Sequence, residues 1–247
     1  MPAVEVEGLR KRYGDTLAVD HVSLDVRKGE IFGILGPNGA GKTTVVECLA
    51  GLRKQDAGHV RVGGFDPQSQ RSKVREVLGV QLQDCKLPEK LRVEEAIRIF
   101  SSFYRDPAAP EKLLADVGLA DKRQTYFENL SGGQRQRLSI ALALVGQPQI
   151  VIFDELTTGL DPQARRLVWD LVESVRASGA TVLLVTHSME EAERLCDRLA
   201  LIDSGQTIAC DTPAKLRATA VQALGRDDAT LEDAYLRLTG KNFEVAE

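Results

Sequence analysis

The stretch Gly36-Pro37-Asn38-Gly39-Ala40-Gly41-Lys42-Thr43-Thr44 constrains this chain more than any other, because it fits the spacing G-x-x-x-x-G-K-[ST]. The apolar run Ile31-Phe32-Gly33-Ile34-Leu35 before it reads as a buried parallel strand, and Val45, Val46 and Leu49 after it fall at helical spacing as far as Gly51. A strand that turns through glycines into a helix points successive backbone N–H groups and the positive helix end at one place, which forms a cavity for polyphosphate. In such a cavity Lys42 reaches the β- and γ-phosphates and the Thr43 hydroxyl meets Mg²⁺.

The chain has 247 residues, enough for a sizeable core, and its 43% hydrophobic and 28% charged content is that of a globular protein. A formal net charge of -4 leaves no basic footprint, since Arg10-Lys11-Arg12 and Arg71 to Arg75 are short charged faces, so nucleic acid is disfavoured as a partner. Cys48, Cys85, Cys196 and Cys210 are widely spaced with no C-x-x-C pair, which fits reduced cytosolic thiols. No run approaches the roughly 18 apolar residues that span a bilayer. Work at a membrane therefore requires another polypeptide to cross it.

Taken in order, Val4 to Leu9 and Val22 to Val26 alternate apolar with polar residues as half-exposed antiparallel strands, with Tyr13 in a loop between them, and His59 to Val62 continues the β-rich part. After Leu78 to Gln83 the pattern becomes helical: Val93, Ala96, Ile97 and Phe100 make one stripe, and Leu113, Leu114 and Val117 a second that Gly118 stops. This predicts an α/β core over 1–83 and 147–247, with an antiparallel β part, and an inserted helical lobe over 84–146. The lobe's last helix starts at Ser131, a cap for a stripe of Leu138, Ala141, Leu142 and Val145. Ile150-Val151-Ile152-Phe153 is a buried strand ending on Asp154-Glu155, where open α/β sheets carry ligand-binding groups. Asp161-Pro162 opens a helix, Thr181 to Val185 is a further strand ahead of His187, Ser188 with Glu191 reads as a capping box, and Leu199 to Cys210 reads as a hairpin turning at Ser204-Gly205.

Each later motif has a plain structural reading by itself: a solvated acidic turn, a glycine loop, a hydrogen-bonded histidine. Their order is specific. The phosphate loop, Gln83, Leu130-Ser131-Gly132-Gly133-Gln134, Ile150 to Glu155, Gly159-Leu160-Asp161 and His187 succeed one another as in the nucleotide-binding subunit of an ATP-binding cassette (ABC) transporter, which the chain resembles from about residue 4 to 240. The tail Thr230 to Gly240 is similar, more weakly, to the branch that exports drugs and other amphipathic compounds through a separate membrane subunit.

The resemblance implies a P-loop ATPase fold and roles for individual residues. Tyr13 would stack on adenine, and Gly36 to Thr44 would hold the phosphates of ATP. Thr43, Gln83 and Asp154 would surround Mg²⁺, with Gln83 also near the attacking water. Glu155 would orient or deprotonate that water, and His187 would contact the γ-phosphate. Ser131, Gly132, Gly133 and Gln134, with Asp161, would serve the nucleotide of a second ATPase subunit, identical or closely related, arriving head to tail. The partners so implied are that subunit and a transmembrane permease, with the chain peripheral at the cytoplasmic face of the membrane. One departure stands out: Leu156 follows the carboxylate pair where the family usually has proline, which predicts a looser aim of Glu155. Two other classes share these motifs, a cytosolic assembly or repair ATPase and a nucleotide-switched binding module with little turnover.

Overall fold

The computed structural model describes residues 1–82 and 86–240. Gln83, to which the resemblance gives a metal and water contact, lies outside them, as does Cys85.

Two sheets carry the fold. Strands β1 (Val4–Tyr13), β2 (Thr16–Val26) and β4 (Ala57–Val62) pair antiparallel in the order β2-β1-β4. The second sheet runs β5 (Leu78–Gln81), β6 (Ile150–Asp154), β7 (Thr181–Thr186), β3 (Ile31–Leu35), β8 (Arg198–Asp203) and β9 (Gln206–Asp211), parallel throughout except for β9, which returns antiparallel after a tight turn. Because β3, β6, β7 and β8 are covered on both faces, their sequences are unbroken apolar runs, and alternate residues enter opposite cores. Phe32, Ile34, Ile152, Leu183, Val185 and Ile202 pack towards the antiparallel sheet and α1 (Lys42–Leu49), while Ile31, Leu35, Val151, Phe153, Leu184 and Leu201 face the other layer. That layer is built from α6 (Pro162–Ala177), α7 (Met189–Leu195), α8 (Pro213–Leu224) and α9 (Leu231–Thr239).

A third apolar cluster joins α3 (Val93–Ser101), α4 (Pro110–Asp116) and α5 (Gly132–Leu144). Helix α5 connects it to the sheet: Leu138, Ala141 and Leu142 face α3 and α4, whereas Ile140 and Ala143 enter the core beside β6. The fold is thus a P-loop α/β core with a mostly parallel sheet, an antiparallel β part and an inserted group of helices.

Some local expectations change. Tyr13 is the last residue of β1, opposite Thr16, and not part of a loop. Left-handed backbone at Gly8 (φ 58°) and His21 (φ 70°) and shifts in register around Leu9 end the apolar alternation, yet the two strands go on pairing through the charged residues that follow. Arg71 to Arg75 belongs to a short helix, α2 (Arg71–Val77), whose Val74 is buried. Helix α8 has no counterpart in the reading of the sequence, although Thr212-Pro213 opens it as Asp161-Pro162 opens α6.

Candidate functional site

The phosphate loop leaves the carboxyl end of β3 and enters α1 with no side chain capping the helix and no acidic residue in its first turn. The first N–H groups of α1 therefore have no side-chain acceptor among the described residues and are available to an anion. Two glycines make this approach possible. A Cβ at Gly36 would lie 2.1 Å from the Ile202 carbonyl oxygen, and one at Gly41, where φ is +99°, would lie 2.4 Å from that of Ala18. The turn after β8 supports the loop directly, since the Gly205 N–H donates to the Ala40 carbonyl at 3.0 Å. Lys42 is buried at 5% exposure and its Nζ donates to the carbonyls of Gly36 (2.8 Å) and Pro37 (2.9 Å). Burial pushes the Lys42 ammonium pKa down, partly offset by the carboxylates of Glu155 and Asp154. The side chain curls back into the loop, in place to exchange carbonyl partners for phosphate oxygens.

Strand β6 runs beside β7 and carries Asp154 to the same end of the sheet as the phosphate loop. The Asp154 N–H donates to Gln81 Oε1 at 3.1 Å, so a polar residue at the end of the neighbouring strand β5 fixes its backbone. The side chain is 1% exposed, and neither carboxylate oxygen has a hydrogen-bond partner among the described residues. Burial first, and the Glu155 charge second, push its pKa up to about 6 against the opposing pull of Lys42. Two oxygens withdrawn from water without donors are a costly arrangement in the free protein, and a hard cation is the partner that would relieve it. The buried, donor-free carboxylate of Asp154 thus fits a hard cation such as Mg²⁺.

The cost has a testable sign. Between the unfolded carboxyl value of 3.8 and the folded value of about 6, the folded state binds more protons, so stability falls as pH rises through this window. In Asp154→Asn the titration is removed. The stability difference between variant and wild-type nucleotide-free protein should therefore move in the variant's favour by about 2 kcal/mol as pH rises from about 4 to 6. Denaturant melts across that range measure it, and a pH-independent difference would mean that the carboxyl group is not held up.

Glu155 takes a left-handed conformation (φ 52°) with its N–H donating to the Val185 carbonyl at 2.9 Å. Its Oε1 lies 3.3 Å from His187 Nδ1, and its Oε2 accepts from Thr158 Oγ1 at 3.5 Å. Leu156, where a looser aim was expected, is 1% exposed in the same core as Phe153, Val168 and Leu184. Apolar burial there restrains the backbone beside Glu155 in a position where a proline ring would otherwise do so.

Ser131 caps α5: its Oγ accepts the Gln134 N–H at 3.2 Å while Gln134 Oε1 accepts the Ser131 N–H at 2.9 Å. Ser131, Gly132, Gly133 and Gln134 share a surface cavity of about 300 Å³ with Gly159, Asp161, Gln163 and Ala164, and no phosphate-loop residue lines it. Asp161 caps α6 by accepting the N–H groups of Gln163 and Ala164, each at 2.9 Å. Tyr13, 38% exposed, donates its hydroxyl to Glu47 Oε2 at 3.3 Å, and the cations of Arg53 and Lys11 lie 5.4 and 5.7 Å from its ring centroid.

The structure thus gathers Lys42, Asp154, Glu155 and His187 at one end of the sheet and leaves Ser131 to Gln134 and Asp161 in a separate cavity. Gln81 joins the site's surroundings without having been singled out in the sequence, and Glu191 joins them through a side chain that the sequence offered only as half of a capping box. The signal at Gln81 is an amide closing the otherwise small and apolar run Leu78-Gly79-Val80.

A nucleotide cradle beside a buried carboxylate pair and a histidine, on this fold, defines an ATPase of the cassette type. The chain belongs to the ABC transporter family, whose pattern matches residues 19–158, as an ATP-binding and ATP-hydrolysing subunit. It is 45% identical over 220 residues, 87% of this chain and 68% of the relative, to the Nod factor export ATP-binding protein I of Ralstonia nicotianae. It is 41% identical over 221 residues, 87% of this chain and 70% of the relative, to the daunorubicin resistance ATP-binding protein DrrA3 of Streptomyces coeruleorubidus. Its fold superposes with a TM-score of 0.84 on a solved ATP-binding subunit of an ABC transporter, at 28% identity and over 96% of this chain and 99% of the other. No helix among the described residues is long and apolar enough to cross a membrane.

Proposed function

We propose that two copies of this ATPase, or this chain and a close relative, enclose ATP head to tail at the cytoplasmic face of a membrane and drive export through a separate transmembrane permease. The observation that carries the reading is the juxtaposition at the end of β6: a buried Asp154 whose two oxygens have no partner among the described residues, next to a Glu155 that touches His187, both carboxylates acting on Lys42. In this reading the α1 N-terminus and Lys42 hold the phosphates, Thr43 and Asp154 hold Mg²⁺, and Gln83 completes that group. Mg²⁺ bound there supplies charge neutralisation for the β- and γ-phosphate oxygens. Glu155 accepts the proton of the attacking water, and His187, oriented by Glu155, contacts the γ-phosphate.

Adenine rests on Tyr13, where a π-face contact is set against the two cations already near the ring. The cavity of Ser131 to Gln134 and Asp161 serves the other subunit's nucleotide, because its lining excludes the chain's own phosphate loop and its helix end is a ready anion site. Export as the direction follows the relatives named for Nod factor export and daunorubicin resistance.

Lys42→Ala tests the core of this reading. Loss of a charge-assisted contact should weaken ATP binding by about 10- to 100-fold and reduce turnover to background. Equilibrium binding and steady-state phosphate release measure both, and normal turnover would sink the assignment.

A further inference from the structure

Ser188 and Glu191 have the spacing of a capping box, but the structure completes only half of it. Ser188 Oγ accepts the Glu191 N–H at 3.3 Å, while the Ser188 N–H donates to Thr186 Oγ1 at 3.0 Å. The Glu191 side chain turns inward instead. It is 0% exposed, its Oε1 accepts from Thr157 Oγ1 (3.0 Å) and from Trp169 Nε1 of α6 (3.1 Å), and its Oε2 has no partner among the described residues. A fully buried carboxylate with two neutral donors is a poor way to stabilise a core, since an apolar side chain of similar volume is often as good or better.

Its position shows what the arrangement achieves. Thr157 stands two residues after Glu155, and Glu191 stands four residues after His187, in the first turn of α7. One carboxylate oxygen therefore ties the segment carrying Glu155 to the segment carrying His187, with α6 as the third anchor. We infer that Glu191 is a positioning residue that sets the spacing between His187 and Glu155, through Thr157 on one side and α7 on the other. The inference rests on the proposed hydrolytic roles of those two residues. It predicts a loss confined to the chemical step, because the phosphate loop that holds the nucleotide lies on other elements.

The test uses the full chain with Glu191→Gln, Glu191→Leu and Thr157→Val, measuring kcat, MgATP affinity and the NMR signals of the imidazole rings, of which the chain has 3. The Gln carbonyl can accept both donors, so Glu191→Gln should stay within about threefold of wild-type kcat. Glu191→Leu and Thr157→Val should each lose about tenfold in kcat at nearly unchanged affinity, and each should shift the His187 signal. Their combination should lose no more than either alone, because both cut the same tie. Thr157→Val is nearly isosteric and carries the test if Glu191→Leu fails to fold. Unchanged kcat and an unmoved His187 signal in Thr157→Val, or a parallel fall in affinity, would overturn the inference. Glu155→Gln measured alongside separates the two levels: normal turnover there defeats the hydrolytic reading, while the His187 signal still judges the role of Glu191.

Discussion

Glu155→Gln is expected to lower ATP turnover by about 10²- to 10⁴-fold, the span that a positioned proton acceptor contributes, while ATP binding persists. Glutamine keeps the length and shape of the side chain, and its N–H to the Val185 carbonyl and left-handed backbone do not depend on the charge. It also removes a negative charge that raises the Asp154 pKa, so the metal side of the site should bind no worse. On the proposed head-to-tail reading, ATP that is bound and unable to react should make a composite dimer accumulate. Gel filtration in MgATP should show the variant at twice its monomer mass, and a variant that stays monomeric with ATP bound would argue against ATP as the link between subunits. A fall in nucleotide affinity parallel to the fall in turnover would instead make Glu155 structural.

A mixture of two inactive variants should regain activity. Lys42→Ala disables the phosphate loop, and Ser131→Arg puts a bulky cation where the cavity lined by Gly132 and Gly133 has room only for a ligand. Replacing the Ser131 cap costs about 1 kcal/mol locally, which the core of α5 can absorb, because Leu138, Ile140, Ala141 and Leu142 are all buried. If the sites are shared across a head-to-tail dimer, each homodimer carries two faulty sites. The mixed dimer concentrates both faults in one site and leaves the other intact. Random reassociation makes half of the dimers mixed, so the pooled protein should reach about a quarter of the wild-type rate if one site works alone. Differential tagging and pull-down establish that subunits exchange. Mixed dimers as inactive as the parents would mean that both sites must fire together or that Ser131 does not act across the interface, and an active Ser131→Arg homodimer would remove the second subunit's contribution altogether.

Much of this protein is determined locally and is legible in its sequence. Strands β3, β6 and β7 announce themselves as unbroken apolar runs because both of their faces are covered. The phosphate loop is recognised because close approach to Ile202 and Ala18 leaves no room for a Cβ at Gly36 or Gly41. Ser131 and Asp161-Pro162 mark helix starts because a cap is an interaction within a few residues of chain. The tertiary structure alone decides the rest. Asp154 lies opposite Val185 in the pairing of β6 with β7, and that register brings Glu155 within 3.3 Å of His187, a pairing that sequence order cannot express. Whether Asp154 has a partner depends on which donors the fold brings to the end of β6, and among the described residues it brings Gln81 to the backbone and none to the carboxylate. Glu191 could satisfy a local rule by reaching back to the Ser188 N–H, but Thr186 Oγ1 already accepts that donor, and two buried donors from α6 and the segment after Glu155 claim the carboxylate instead. In the interior a donor left without an acceptor costs more than an exposed cap contributes, so long-range partners overrule the local motif.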